Sequence, residues 1–124
     1  MQTEMVRLSS RLLPPLPTFS CPDSYISIAL LNVRSIVAKL PDIENDSSLK
    51  YASILCFCET WLVPSQRSPL VMDNQVDVRC DRATGDNKGG VLIVCPQSME
   101  PSHTYGFACH GIEAVSTVLV LPNS

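Results

Sequence analysis

The sequence lacks the roughly 18 consecutive apolar residues that a membrane-crossing helix needs, which excludes a transmembrane span. It also lacks an excess of basic charge. Nine Lys and Arg stand against twelve Asp and Glu, for a net charge of -3. That argues against a protein that holds nucleic acid on a broad basic face. It leaves room for a nuclease, because a metal ion supplies positive charge locally. No Cys-x-x-Cys pair occurs among Cys21, Cys56, Cys58, Cys80, Cys95 and Cys109. Neither His103 nor His110 lies at zinc-finger spacing from a cysteine pair, so no zinc is expected. An uninterrupted secretory core of about 7–15 apolar residues is missing too. Pro14, Pro15 and Pro17 break the one candidate stretch near Leu12, and Glu4 spoils the acid-poor pattern of a transit peptide. Residues 1–23 are therefore expected to be a poorly ordered leader, and the chain intracellular, with no membrane partner. In a reducing compartment Cys56 and Cys58 read as buried thiols, the alternative being a metal or disulfide role. No internal repeat is present.

What is there is enough for a core. Of 124 residues, 45% are apolar and 17% charged, so wholesale disorder is excluded. A chain of this length buries roughly two-thirds of the surface its unfolded form exposes. Tyr25 to Val33 is almost continuously apolar, the pattern of a strand covered on both faces. Ile36, Leu40 and Ile43 have helical spacing, with a kink or break expected near Leu40 because Pro41 follows it. Ser53 to Thr60 reads as a second buried strand, on which Cys56 and Cys58 share one face. Trp61 to Asp77 holds Pro64 and Pro69 and reads as loop. Val76 to Arg82 and Val91 to Cys95 read as strands, separated by a turn over Gly85 to Gly90. Tyr105 to Cys109 and Ile112 to Leu121 are expected to pair through His110-Gly111.

A strand, a helical crossover and a strand make the two strands parallel. Ligands of parallel sheets bind outside the carboxyl ends of the strands. Asn32 closes the first strand and Glu59 the second. Neighbouring strands lie about 4.8 Å apart, so an amide and a carboxylate would converge on one rim. Such oxygens suit a hard cation such as Mg2+. The competing reading is that Asn32 caps the following turn and Glu59 is merely solvated.

Five segments occur in order: Leu31-Asn32-Val33-Arg34-Ser35, Lys39-Leu40, Cys58-Glu59-Thr60-Trp61-Leu62, Arg79-Cys80-Asp81-Arg82 and Gly89-Gly90-Val91. Together they resemble the endonuclease domain of LINE-type (non-LTR) retrotransposons, a branch of the endonuclease/exonuclease/phosphatase superfamily that also holds the apurinic/apyrimidinic endonucleases. The resemblance covers roughly 24–122. It implies the N-terminal half of a four-layer α/β/β/α sandwich, and nicking of DNA by Mg2+-dependent (or Mn2+-dependent) phosphodiester hydrolysis. By the same resemblance Asn32 and Glu59 are the catalytic and metal-binding positions. Arg34 would contact a phosphate or form a surface ion pair. Arg82 would touch nucleic acid or hold the strand edge, and Trp61 would stack on a base or pack its loop on the core. The family's Asp-x-Asn and Ser-Asp-His motifs, from the second half of its domain, do not occur in this sequence. Whether the chain is an enzyme on its own therefore turns on groups it does not carry. It is expected to be an inactive fragment of the endonuclease, with DNA and the rest of a retrotransposon polyprotein, including a reverse transcriptase, as implied partners. An active form would be nuclear. The alternatives are a nuclease completed by a partner chain and a small α/β binding module without chemistry.

Overall fold

The computed structural model describes residues 2–8, 25–82 and 88–121. Cys21 and the first part of the Gly85 to Gly90 turn lie outside the described residues. The described chain is a mixed α/β unit with two sheets, one of five strands and one of two. Among the described residues it has one α-helix, and no helix is long and apolar enough to cross a membrane.

The strands are β1 (Gln2–Leu8), β2 (Ile26–Asn32), β3 (Ile54–Cys58), β4 (Gln75–Cys80), β5 (Val91–Pro96), β6 (Ser102–Cys109) and β7 (Ile112–Val118). The larger sheet has the order β1-β2-β3-β5-β4. β2 and β3 are parallel, with Asn32 opposite Cys58. All other neighbours in that sheet are antiparallel. Helix α1 (Ile36–Asn45) makes the crossover between the parallel pair. Of the expected leader, Gln2–Leu8 is a strand paired with β2 rather than part of a poorly ordered tail, because β2 offers it a full edge of backbone donors and acceptors. Residues 1 and 9–23 lie outside the described residues.

Ser35 caps α1, its hydroxyl accepting the Ala38 N–H at 3.3 Å. The helix does not break at Leu40; it runs through Pro41 to Asn45. Pro41 lies on the exposed side, and so does Val37, whose carbonyl loses its partner, so water can take the unmade bond. Near the helix end, the Pro41 carbonyl accepts the Asn45 side-chain amide at 2.8 Å.

Period-two alternation sorts the large sheet into two faces. Ala29, Leu31, Val33, Phe57, Leu92 and Val94 form one buried cluster with Ile36 and Ile43 of α1 and with Leu62. The other face carries Ile26, Ile54 and Cys95 with Met99, flanked by half-buried Ile28, Cys56, Val76 and Ile93. Cys56 and Cys58 share that second face, where they pair with Ile93 and Val91 of β5. β6 and β7 form a hairpin through His110-Gly111 and lie against β4 and β5. The Cys80 thiol donates to the Phe107 carbonyl at 3.2 Å across that junction.

Candidate functional site

The carboxyl ends of β2 and β3 meet in a rim held by backbone bonds. Val33 N–H donates to the Cys58 carbonyl at 3.1 Å, Ser35 N–H to Glu59 at 2.9 Å and Ile36 N–H to Thr60 at 3.0 Å. The loop after β2 is thereby laid along the loop after β3. Asn32 lies opposite Cys58, so Glu59 is one residue past its register partner.

Four non-glycine residues of this rim have positive φ: Arg34 (44°), Ser35 (79°), Glu59 (58°) and Trp61 (56°). Each such residue costs about 1–2 kcal/mol and persists only where its surroundings impose it. Here the three bonds above, and Trp61 N–H to the Gly89 carbonyl at 2.9 Å, impose it.

The Asn32 side-chain oxygen Oδ1 is buried and has no hydrogen-bond partner among the described residues. Leaving such an acceptor unpaired costs about 1–3 kcal/mol. It does not cap the turn that follows; Ser35 does that for α1. Glu59 is half-buried, and both of the hydrogen bonds of its side chain use Oε2: the Trp61 indole donates at 2.7 Å and Gly89 N–H at 3.4 Å. Oε1 is thus the oxygen that a ligand would use. An orphaned amide oxygen on one strand end and an oriented carboxylate one residue past its register partner are oxygen donors of the kind that suit a hard divalent cation. Among the described residues no group of three or more His, Cys, Asp or Glu converges to hold a metal.

The other expected contacts fall as follows. Arg34 is exposed on the same loop, without an ion pair among the described residues. Arg82 is not on the open rim: its Nε pairs with Glu113 at 3.3 Å, and Nη2 donates to the Gly111 carbonyl at 3.2 Å. Trp61 is half-buried, with its indole N–H on Glu59 and the Lys88 ammonium 5.9 Å from its ring centre. His103 and His110 are exposed on the hairpin. Burial pushes the Cys58 thiol above its ordinary range, and the adjacent Glu59 charge adds to the rise.

Sequence reasoning passed over Glu113. Its side chain is only 4% exposed, and its Oε1 accepts Gly90 N–H at 2.7 Å. The available signal was a carboxylate at an inward position of the alternating strand Ile112-Glu113-Ala114-Val115, where an unpaired charge is costly.

A cleft of about 560 Å³ lies elsewhere, lined by Pro64, Gln66, Arg67, Ser68, Asp77 and Arg79 among others. It contains none of the rim residues. Arg79 there is occupied by Asp81 at 3.0 Å, the Ser68 hydroxyl at 3.1 Å and the Val63 carbonyl at 2.9 Å. These bonds make it a strut between loop and strand, so the rim is the stronger candidate. The chain matches no family model, no curated protein and no solved structure.

Proposed function

We propose that the chain carries the metal-binding half of a DNA endonuclease site that cleaves phosphodiesters with Mg2+, as in the LINE-type domains its motifs resemble. The observation that carries this reading is the buried Oδ1 of Asn32, unpartnered among the described residues, on a strand end whose register partner Cys58 directly precedes Glu59. In this reading Asn32 Oδ1 and Glu59 Oε1 hold the cation. Trp61 and Gly89 keep the Glu59 carboxylate in place through Oε2. Arg34, exposed on the same loop, reaches a phosphate oxygen of the DNA backbone. A bound divalent ion polarises the phosphoryl oxygen and stabilises the leaving oxygen. Groups that activate water come from outside this sequence, which has no Asp-x-Asn and no Ser-Asp-His.

The two sheets fit the same proposal as the N-terminal half of a four-layer α/β/β/α sandwich. The β6–β7 hairpin supports it by lying against the large sheet chiefly at β4 and β5 among the described residues. The outer face of that hairpin exposes Tyr105, Phe107 and Ile112. This favours a second form of the reading, in which a partner chain covers the hairpin and completes the nuclease.

Two measurements test the proposal. Electron paramagnetic resonance of Mn2+ should count one bound ion per chain, lost in Asn32→Ala and in Glu59→Ala. Equal binding in the two variants and the unaltered chain sinks the metal site. A supercoiled plasmid in Mg2+ should stay intact with the purified chain. Nicking that disappears in Glu59→Ala means instead that the chain completes its own site by self-association.

A further inference from the structure

We propose that Glu113 is a positioning residue for the Glu59 carboxylate, acting across the two sheets through the Gly89–Gly90 backbone. Consecutive amides of that dipeptide donate to different carboxylates. Gly89 N–H donates to Glu59 Oε2 at 3.4 Å, and Gly90 N–H to Glu113 Oε1 at 2.7 Å. The two carbonyls are fixed as well. Gly89 accepts Trp61 N–H at 2.9 Å and Gly90 accepts Thr60 N–H at 3.3 Å. Both glycines have positive φ, at 70° and 91°. A Cβ at Gly90 would lie 2.5 Å from the buried Thr60 hydroxyl. One at Gly89 would run into the Glu113 carboxylate and the Arg82 guanidinium. The segment is therefore clamped between the end of β3 and the start of β7.

Glu113 closes the clamp. Its charge is buried, and Arg82 Nε answers it at 3.3 Å. Arg82 also ties down the Gly111 carbonyl in the β6–β7 turn at 3.2 Å. A buried carboxylate with one cation and one amide holds its geometry firmly, because breaking either contact leaves a charge unsatisfied. By fixing Gly90 N–H, Glu113 fixes the peptide between the two glycines, whose carbonyl accepts Trp61 N–H, and Trp61 in turn holds Glu59 through its indole. Gly89 N–H, one Cα before that peptide, makes a long bond to Glu59, so a small shift of the Gly89 Cα is enough to lose it. A purely architectural Glu113 would bridge the sheets without affecting Glu59, and the two roles give different measurements.

The sequence has a single tryptophan. The Trp61 indole N–H, bonded to Glu59, therefore gives one unambiguous nuclear magnetic resonance signal. Hydrogen exchange at that indole and at Gly89 is measured well below each variant's melting temperature. In Glu113→Ala both should exchange about tenfold faster, and Mn2+ affinity read from Trp61 fluorescence should fall about tenfold, the usual cost of losing an outer-sphere support. Glu113→Gln, which still accepts Gly90 N–H, should stay within about threefold of the unaltered chain, since it keeps the hydrogen bond and drops only the charge. A Glu113→Ala chain that melts lower but keeps both exchange rates and the affinity overturns the proposal. If Glu113→Ala does not fold, Glu113→Asp decides. It keeps the charge but withdraws it from Gly90, so unchanged exchange there is equally fatal. The affinity readout rests on the metal reading of Asn32 and Glu59, whereas the exchange readout does not. Absence of any saturable Mn2+ response in the unaltered chain refutes the metal reading and leaves exchange to decide the role of Glu113.

Discussion

The two faces of the five-stranded sheet differ in how far they are finished. Under α1, Leu31, Val33, Ile36 and Phe57 are no more than 2% exposed. On the opposite face, Ile28, Cys56 and Ile93 are only half-buried and Leu30 is 43% exposed. The hairpin covers that face at β4 and β5 and in turn exposes Tyr105 at 64% and Ile112 at 62%. Apolar surface is therefore sealed under α1, whereas on the other side a smaller buried cluster of Ile26, Ile54, Cys95 and Met99 is flanked by half-covered residues. Patches of that kind mark interaction surfaces. The Asn32–Glu59 rim lies where the two sides meet. Its backbone is fixed from the sealed side, and its glycine support from the hairpin.

The largest expected effect is on the sealed side. Phe57→Ala should lower the unfolding free energy by about 3–5 kcal/mol in a urea titration. A loss below about 1 kcal/mol would mean that the face under α1 does not carry the fold.

A smaller effect separates the faces by pH. Burial raises the thiols of Cys56 and Cys95 above the ordinary value of 9.0. The nearby Cys95 adds to the rise at Cys56, and Asp77 to that at Cys95. In the unfolded chain these thiols ionise first, so above that value the unfolded state holds fewer protons. Their contribution to stability is full below the unfolded value and is lost as pH rises through the folded ones. Stability should therefore fall on the alkaline side, and a Cys56→Ala, Cys95→Ala double variant should flatten that slope. A slope unchanged in the double variant would show that the open face is as wet as the unfolded chain.

The smallest effect is on the hairpin. Ile112→Lys should change stability by no more than about 0.5 kcal/mol, because its side chain meets mostly solvent. It should also reduce self-association in sedimentation velocity. A large destabilisation would mean that this face is already covered.

Much of the larger sheet was legible in the sequence. Continuous apolar runs at Tyr25 to Val33 and Ser53 to Thr60 mark the two strands, and the helical spacing between them makes the pair parallel; the expected burial on both faces holds under α1 but not at Leu30, which is 43% exposed. Asn32 and Glu59 follow from that topology, since strand ends on one edge must be neighbours. The run of α1 through Pro41 was hidden because local rules weigh proline without knowing which side of the helix faces water. β1 was hidden because an antiparallel edge partner is chosen by the open side of β2 rather than by its own pattern. Glu113 was hidden because its partner Arg82 lies 31 positions away. No periodicity encodes such a pairing.

The central claim is that Asn32 and Glu59 hold one divalent cation. Substoichiometric Mn2+ added to the ¹⁵N-labelled chain tests it most directly, because the paramagnetic ion broadens the nearest signals first. The Asn32 side-chain amide, the Gly89 amide and the Trp61 indole should fade before all others and should survive in Glu59→Ala. Broadening that starts at the helix carboxylates Asp42 and Glu44, or that persists at the rim in Glu59→Ala, would contradict the account.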